Sequence, residues 1–157
     1  GPIQVLSAPK GLNFADNYVD GVLEETEAQG LAEPAIWRGN MTEEDGRAAA
    51  TDILSRPGPR AFACIQDSFA FGAYRAATDA GMAIGRDLTV FGGQNFPGSE
   101  HTAPPLSTFS TKDHHIAELL SRVMLRRLDL GNTRPHGGYE HHEIKPIEVL
   151  RRSHIRQ

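Results

Sequence analysis

One cysteine, one tryptophan and three methionines in 157 residues leave little room for several kinds of chemistry. The lone Cys64 excludes an intrachain disulfide and a cysteine-built zinc site, and its place in the apolar run Ala61–Ile65 predicts burial as a small hydrophobe. No stretch approaches the ~20 consecutive apolar residues of a membrane span, and no basic segment followed by an apolar run opens the chain. A cytoplasmic, reducing setting is therefore expected, with no membrane partner. Positive charge never clusters beyond the pair Arg151-Arg152, and 20 acidic against 16 basic residues give a net charge of -4. This segment is not expected to hold nucleic acid itself. Enzyme signatures are missing too: there is no His-Glu-x-x-His and no Gly-x-Ser-x-Gly, and "FGG" and "GGQN" are too short for a dinucleotide fingerprint and read as turn glycines. Among the seven histidines, His114-His115 and His141-His142 are adjacent pairs whose side chains point apart on a helix or strand. Together with His136 they suggest at most adventitious nickel or zinc binding, so neither catalysis, metal nor cofactor is expected.

What is present is an ordinary globular composition. The hydrophobic share is 39% before the 16 glycines are added, enough for one domain with a sizeable core. Ile3–Ser7 reads as a strand leaving into the loop Ala8-Pro9-Lys10-Gly11, and a helix from about Asn17 to Gln29 carries Val19, Val22 and Leu23 on one face, with Gly30 as its left-handed stop. Ala35–Arg38 is the next strand. Thr42 with Asp45 three residues on is a capping-box variant, predicting a helix over Thr42–Ser55 that ends before Pro57-Gly58-Pro59. The run Ala61–Ile65 suits a buried parallel strand, followed by Ser68 as N-cap and a helix through Ala80 that stops at Gly81. Asp87–Phe91 repeats the strand signal, and Gln94–Pro105 is a polar loop. Beyond it come an extended piece at Leu106–Phe109, a helix capped by Asp113 and running to about Leu130, and a last strand near Ile144–Leu150. Strand and helix alternate at spacings too long for hairpins, which predicts an α/β fold with a parallel sheet and helices on both faces. Ligands bind such sheets beyond the carboxyl ends of the strands, here Ala8–Tyr18, Gly39–Thr42, Gln66–Ser68 and Gly92–Asn95.

The segments "PRAFACIQDSFAFGAYRAATDAGMAIGRDLTVFGGQNF", "TAPPLSTFS" and "TKDHHIAELLSRVMLRRLDLG" resemble, in this order, the effector-binding domain of the lactose-repressor/galactose-repressor (LacI/GalR) family. "NYVDGVLEETEAQGL" is similar to a helix near the start of this half, and "HHEIKPIEVLRRS" to the final strand. The resemblance implies the C-terminal lobe of a type I periplasmic-binding-protein-like fold. It implies that the helix at 112–131 belongs to an N-terminal lobe, and that operator DNA is met only through an N-terminal domain outside this chain. Since the chain opens Gly1-Pro2 without an initiator Met, sequence upstream is expected. The resemblance further implies a small-molecule effector, a homodimer, and ligand contacts carried residue by residue. Tyr18 stands where an arginine usually grips effector oxygens, Gln66 where a polar residue faces the cleft, and Gln94 where an aspartate usually accepts from a sugar. Met41 stands where an aromatic often stacks, Thr111 at the hinge crossing, and Asp67 beside Gln66, where either ligand contact or loop ordering is open. Gln66 and Gln94 keep polarity but cannot supply charge-assisted hydrogen bonds. On the helix after Gln66, Ala70, Phe71 and Tyr74, with His101 in the following loop, are implied at the dimer surface. A sugar-transport receptor shares this fold and is the competing reading; upstream sequence, a helix-turn-helix or a signal peptide, separates the two.

Overall fold

In a computed structural model, which describes residues 3–58, 60–129 and 141–155, the chain divides into two compact units. The first comprises residues 1–109 and 148–157, the second residues 110–147.

The first unit is built on four parallel strands, β1 (Ile3–Ser7), β2 (Ala35–Arg38), β3 (Arg60–Cys64) and β4 (Leu88–Phe91), in the order β2-β1-β3-β4. Connecting them are α1 (Asn13–Ala28), α2 (Glu43–Leu54) and α3 (Asp67–Asp79). The chain steps one way from β1 to β2 and the other way from β2 to β3 and β4. Right-handed crossovers then place α1 on one face and α2 with α3 on the other, where these two pack along each other. β1 and β3 are central and carry the core residues Val5, Leu6, Phe62 and Cys64, joined from α3 by Phe69, Ala73 and Ala77, and by Val90 and Leu106. At the edge, β2 leaves Ala35 and Ile36 exposed and turns Trp37 inward, edge-on to Phe69 at 6.0 Å between ring centroids. α2 and α3 meet through glycines, since a Cβ on Gly72 would strike Glu43 O and Arg47 N, and one on Gly46 would strike Phe69 O.

Several boundaries differ from the sequence expectation for identifiable reasons. α1 starts a turn before Asn17, entering from an extended Leu12 that offers no side-chain cap, while Asp16 captures the N–H of Gly11. Ser68 is not the N-cap of α3. That position belongs to Gln66, in extended conformation, and Ser68 lies in the first turn. Leu106 and Ser107 do not open the strand β5 (Thr108–Ser110), because their N–H groups go to Ser99 O and Ser153 Oγ. β5 pairs with β6 (Ile147–Val149), which is shorter than Ile144–Leu150 and begins after Pro146, a residue with no N–H for a ladder. As expected, Thr42 caps α2 by accepting from Asp45 N at 3.1 Å, and Gly30 and Gly81 take positive φ at helix ends.

The second unit carries α4 (Asp113–Asp129), of which Asp113 is the first helical residue rather than the cap. Ile116, Leu120, Met124 and Leu125 are exposed along it. The expected end at Leu130 and the loop with His136 lie outside the described residues.

Candidate functional site

The order β2-β1-β3-β4 reverses direction between β1 and β3, so the loops leaving these strands diverge and open a crevice at their carboxyl ends. The side chains and backbone strain of the first unit concentrate there. Among its described residues, the three non-glycine residues of positive φ, Met41 at 61°, Gln94 at 84° and Asn95 at 52°, lie in the loops leaving β2 and β4. Such conformations persist only where their surroundings hold them.

A chain of hydrogen bonds does so across the strand ends. The Ser68 hydroxyl is shared between Met41 O at 2.6 Å and Gln66 Oε1 at 3.1 Å, and Gln66 Nε2 donates to Gln94 Oε1 at 3.0 Å. The loops after β2, β3 and β4 are thus linked through neutral groups, and the Gln94 amide N–H groups have no hydrogen-bond partner among the described residues. Beneath this layer lies Asp67, with no exposed surface. Its Oδ2 accepts from Phe96 N at 2.7 Å and Ser99 Oγ at 2.6 Å, and its Oδ1 from Thr108 Oγ1 at 2.7 Å. Of the two roles left open for Asp67, loop ordering is what its carboxylate does here, and ligand contact is closed off by burial. Gly92 and Gly93 are needed for close approach rather than for turn angles, since a Cβ would meet Asp67 Oδ1 at the first and Ile65 O at the second. The positive φ values fall one and two residues later.

Tyr18 is partly buried and packs on the core from α1, and burial raises the pKa of its hydroxyl far above the ordinary tyrosine value. Met41 also packs on the core, while its carbonyl serves Ser68. Thr111 lies in the second unit, where its hydroxyl donates to Asp113. On α3, Ala70 is completely buried within the unit, so it has no surface to offer a partner subunit, which corrects that expectation. Phe71, Tyr74 and His101 do come together, around a depression of about 330 Å³ that also touches Glu43, Arg75 and Gly98. Tyr74 is fixed there by donating to Pro104 O at 2.7 Å.

Two charged positions at the strand ends escaped the sequence reading. Arg38 closes β2, donates to Ala8 O at 2.9 Å and faces Asp16 Oδ1 at 3.2 Å, an ion pair without the alignment of a hydrogen bond; Asp16 Oδ2 holds Gly11 N at 2.8 Å. Arg151 donates to Leu106 O and Asn95 Oδ1. Neither pairing has a local motif, since the partners stand 22 and 56 positions apart, and only a place at a strand end hinted at Arg38. Both charges are occupied by internal partners, so the groups left for a ligand are neutral amides able to hold hydroxyls. A serine–histidine contact, Ser107 Oγ to His154 Nδ1 at 2.6 Å, offers no nucleophile, because Ser107 is fully buried and already accepts from Arg151 N. Among the described residues no group of three histidine, cysteine or acidic side chains could hold a metal ion, and no helix is long and apolar enough to cross a membrane.

Residues 5–153 match the family described as periplasmic binding protein-like domain. The chain is 27% identical over 154 residues to the HTH-type transcriptional repressor PurR of Escherichia coli O139:H28, covering 96% of this chain and 44% of the repressor. Among solved structures, a regulatory protein of the LacI family from Chloroflexus aggregans is 28% identical, with a TM-score of 0.79 over 97% of this chain and 54% of that one. A LacI family transcriptional regulator from Enterococcus faecium with bound ribose shares the fold at 17% identity, with a TM-score of 0.82 over 99% of this chain and 57% of that one. The chain therefore spans about half the length of the relatives it matches.

Proposed function

The chain belongs to the periplasmic binding protein-like domain family, in the form found in LacI/GalR-type regulators, and from that premise we propose that it is the effector-binding and dimerisation portion of a bacterial transcription regulator. The observation that carries the reading is the Gln66–Gln94 bridge at the strand ends, held between loops in strained conformation. Tyr18, Met41, Gln66 and Gln94 form one wall of the effector site. The effector is a neutral, hydroxyl-rich, carbohydrate-like small molecule, because the wall offers neutral donors and acceptors while its charges are internally paired. Regulation is a population shift: the effector must bind one arrangement of the protein better than the other, or operator affinity would not change. Phe71, Tyr74 and His101 lie on the homodimer surface, in keeping with the aromatic enrichment of such surfaces. The protein acts in the cytoplasm, performs no catalysis, and meets DNA through a domain outside this chain.

The test is a thermal-shift screen of the complete gene product against monosaccharides, disaccharides, sugar acids, sugar phosphates, polyols and purines. Ligand at 100 times its Kd adds about 2.7 kcal/mol, and a chain of about 150–250 residues shifts by roughly 2–4 °C per kcal/mol, a longer one by less. A neutral sugar or polyol should raise Tm, and Gln94→Ala and Gln66→Ala should each weaken that ligand by roughly tenfold, the loss of about one buried hydrogen bond. Silence across the neutral ligands, or an unchanged shift in both variants, overturns the reading.

A further inference from the structure

Resting on that reading of the Gln94 loop, we infer that Arg151 is a positioning residue that sets the shape of the effector site from the far end of the chain. Gln94 and Asn95 are two consecutive left-handed non-glycine residues, a conformation that a free loop abandons. Three side chains hold it. Asp67 takes Phe96 N, Thr108 Oγ1 takes Asn95 N at 3.2 Å, and Arg151 Nη2 donates to Asn95 Oδ1 at 2.9 Å.

Arg151 reaches the loop from 56 positions away and joins it to a second segment with one side chain. Its Nη1 donates to Leu106 O at 2.7 Å, so the planar guanidinium spans from the Leu106 backbone to the Asn95 side chain. The segment that carries it is itself clamped. Arg151 N donates to Ser107 Oγ at 2.8 Å, Arg152 N and Ser153 N donate to Pro105 O, Ser153 Oγ donates to Val90 O at 2.6 Å, and Val90 N donates back to Ser153 O. These bonds extend the open edge of β4 and fix the Arg151 backbone. The rigid fork of arginine matches two acceptors at once, which a lysine ammonium on a flexible stem does not. Arg151 makes no hydrogen bond to Gln66 or Gln94 themselves. It acts through Asn95 on the neighbouring Gln94, and hence on the Gln66–Gln94 bridge.

The experiment compares the complete gene product with its Arg151→Met and Asn95→Ala variants by hydrogen exchange read by mass spectrometry, and by calorimetric titration with D-ribose. In both variants, peptides covering residues 92–99 should exchange at least tenfold faster, while peptides covering 43–54 in α2 stay as in the wild type. Loss of a charge-assisted hydrogen bond supports a change of that size. If the wild type binds D-ribose, both variants should bind it at least tenfold more weakly. Uniform acceleration over the whole chain, or none at 92–99, overturns the inference. So does a loosened loop with D-ribose affinity unchanged, which would leave the proposed function standing. A wild type that ignores D-ribose tells against that sugar as effector, while exchange at 92–99 still decides the role of Arg151. Should Arg151→Met fail to fold, Asn95→Ala, which removes the acceptor and keeps the bond to Leu106 O, carries the same test.

Discussion

At the scale of single residues, buried polar groups explain why the site loops keep one shape. Asp67 receives three hydrogen bonds from two separate stretches of chain, so Asp67→Asn would set amide N–H groups against donors and leave at least one unsatisfied. We expect a loss of about 2–4 kcal/mol in stability by urea denaturation, far above a typical surface change. Cys64 and Tyr18 give a pH dependence. Burial raises the pKa of both groups in the folded chain, with the Asp67 charge adding to the effect at Cys64. The folded state therefore keeps these protons to higher pH than the unfolded state. The stabilisation is complete below the ordinary thiol value near 9 and is lost as pH rises beyond it. Tm should hold level to about pH 8 and fall above it, with Cys64→Ala showing a shallower fall from its own starting value. A thermal melt series in matched ionic strength reads both.

At the scale of elements, the contact of α2 with α3 depends on the absence of side chains. Alanine is the better helix former by about 1 kcal/mol, so helix propensity alone predicts that Gly72→Ala stabilises. The packing predicts the reverse, because the new methyl meets backbone atoms of Glu43 and Arg47 that cannot rotate away. Overpacking of this kind costs roughly 1–3 kcal/mol, and calorimetry of Gly72→Ala should show a lowered Tm. The elements also mark where sequence reading worked. The alternation of strand and helix, the Thr42 cap and the Gly30 and Gly81 stops were legible because each depends on neighbours within one turn. The start of α1 was not, because Leu12 carries no capping side chain and the Asp16 carboxylate stands in by reaching Gly11. Ser68 was misplaced as an N-cap for a related reason: its hydroxyl serves Met41, 27 positions away, rather than its own helix.

At the scale of the whole molecule, α4 bears an apolar face in the second unit, with Leu120 60% exposed and Met124 and Leu125 each 57% exposed. Each large side chain removed from water is worth roughly 1.5–3 kcal/mol. The 157-residue chain in isolation should therefore self-associate, and sedimentation equilibrium at rising concentration should show it, with Leu120→Lys and Met124→Lys together shifting the population toward monomer. A chain that stays monomeric through high micromolar concentration would show that this face needs no cover.

The sequence by itself determined the alternating elements, the parallel sheet, the family resemblance and the strand ends at which to look, since hydrophobic period, caps and glycine stops are local physics. It also placed Gln66 and Gln94 at those ends, and left the role of Asp67 open. Only the tertiary structure decided that Asp67 orders a loop, that Ala70 is interior, and that Phe71, Tyr74 and His101 share one depression. It alone showed that Arg151 reaches Asn95 across 56 positions and that Arg38 meets Asp16. Hydrogen bonds between distant segments carry no periodicity and no spacing rule, because their partners are brought together by the packing of the sheet and not by the chain that joins them.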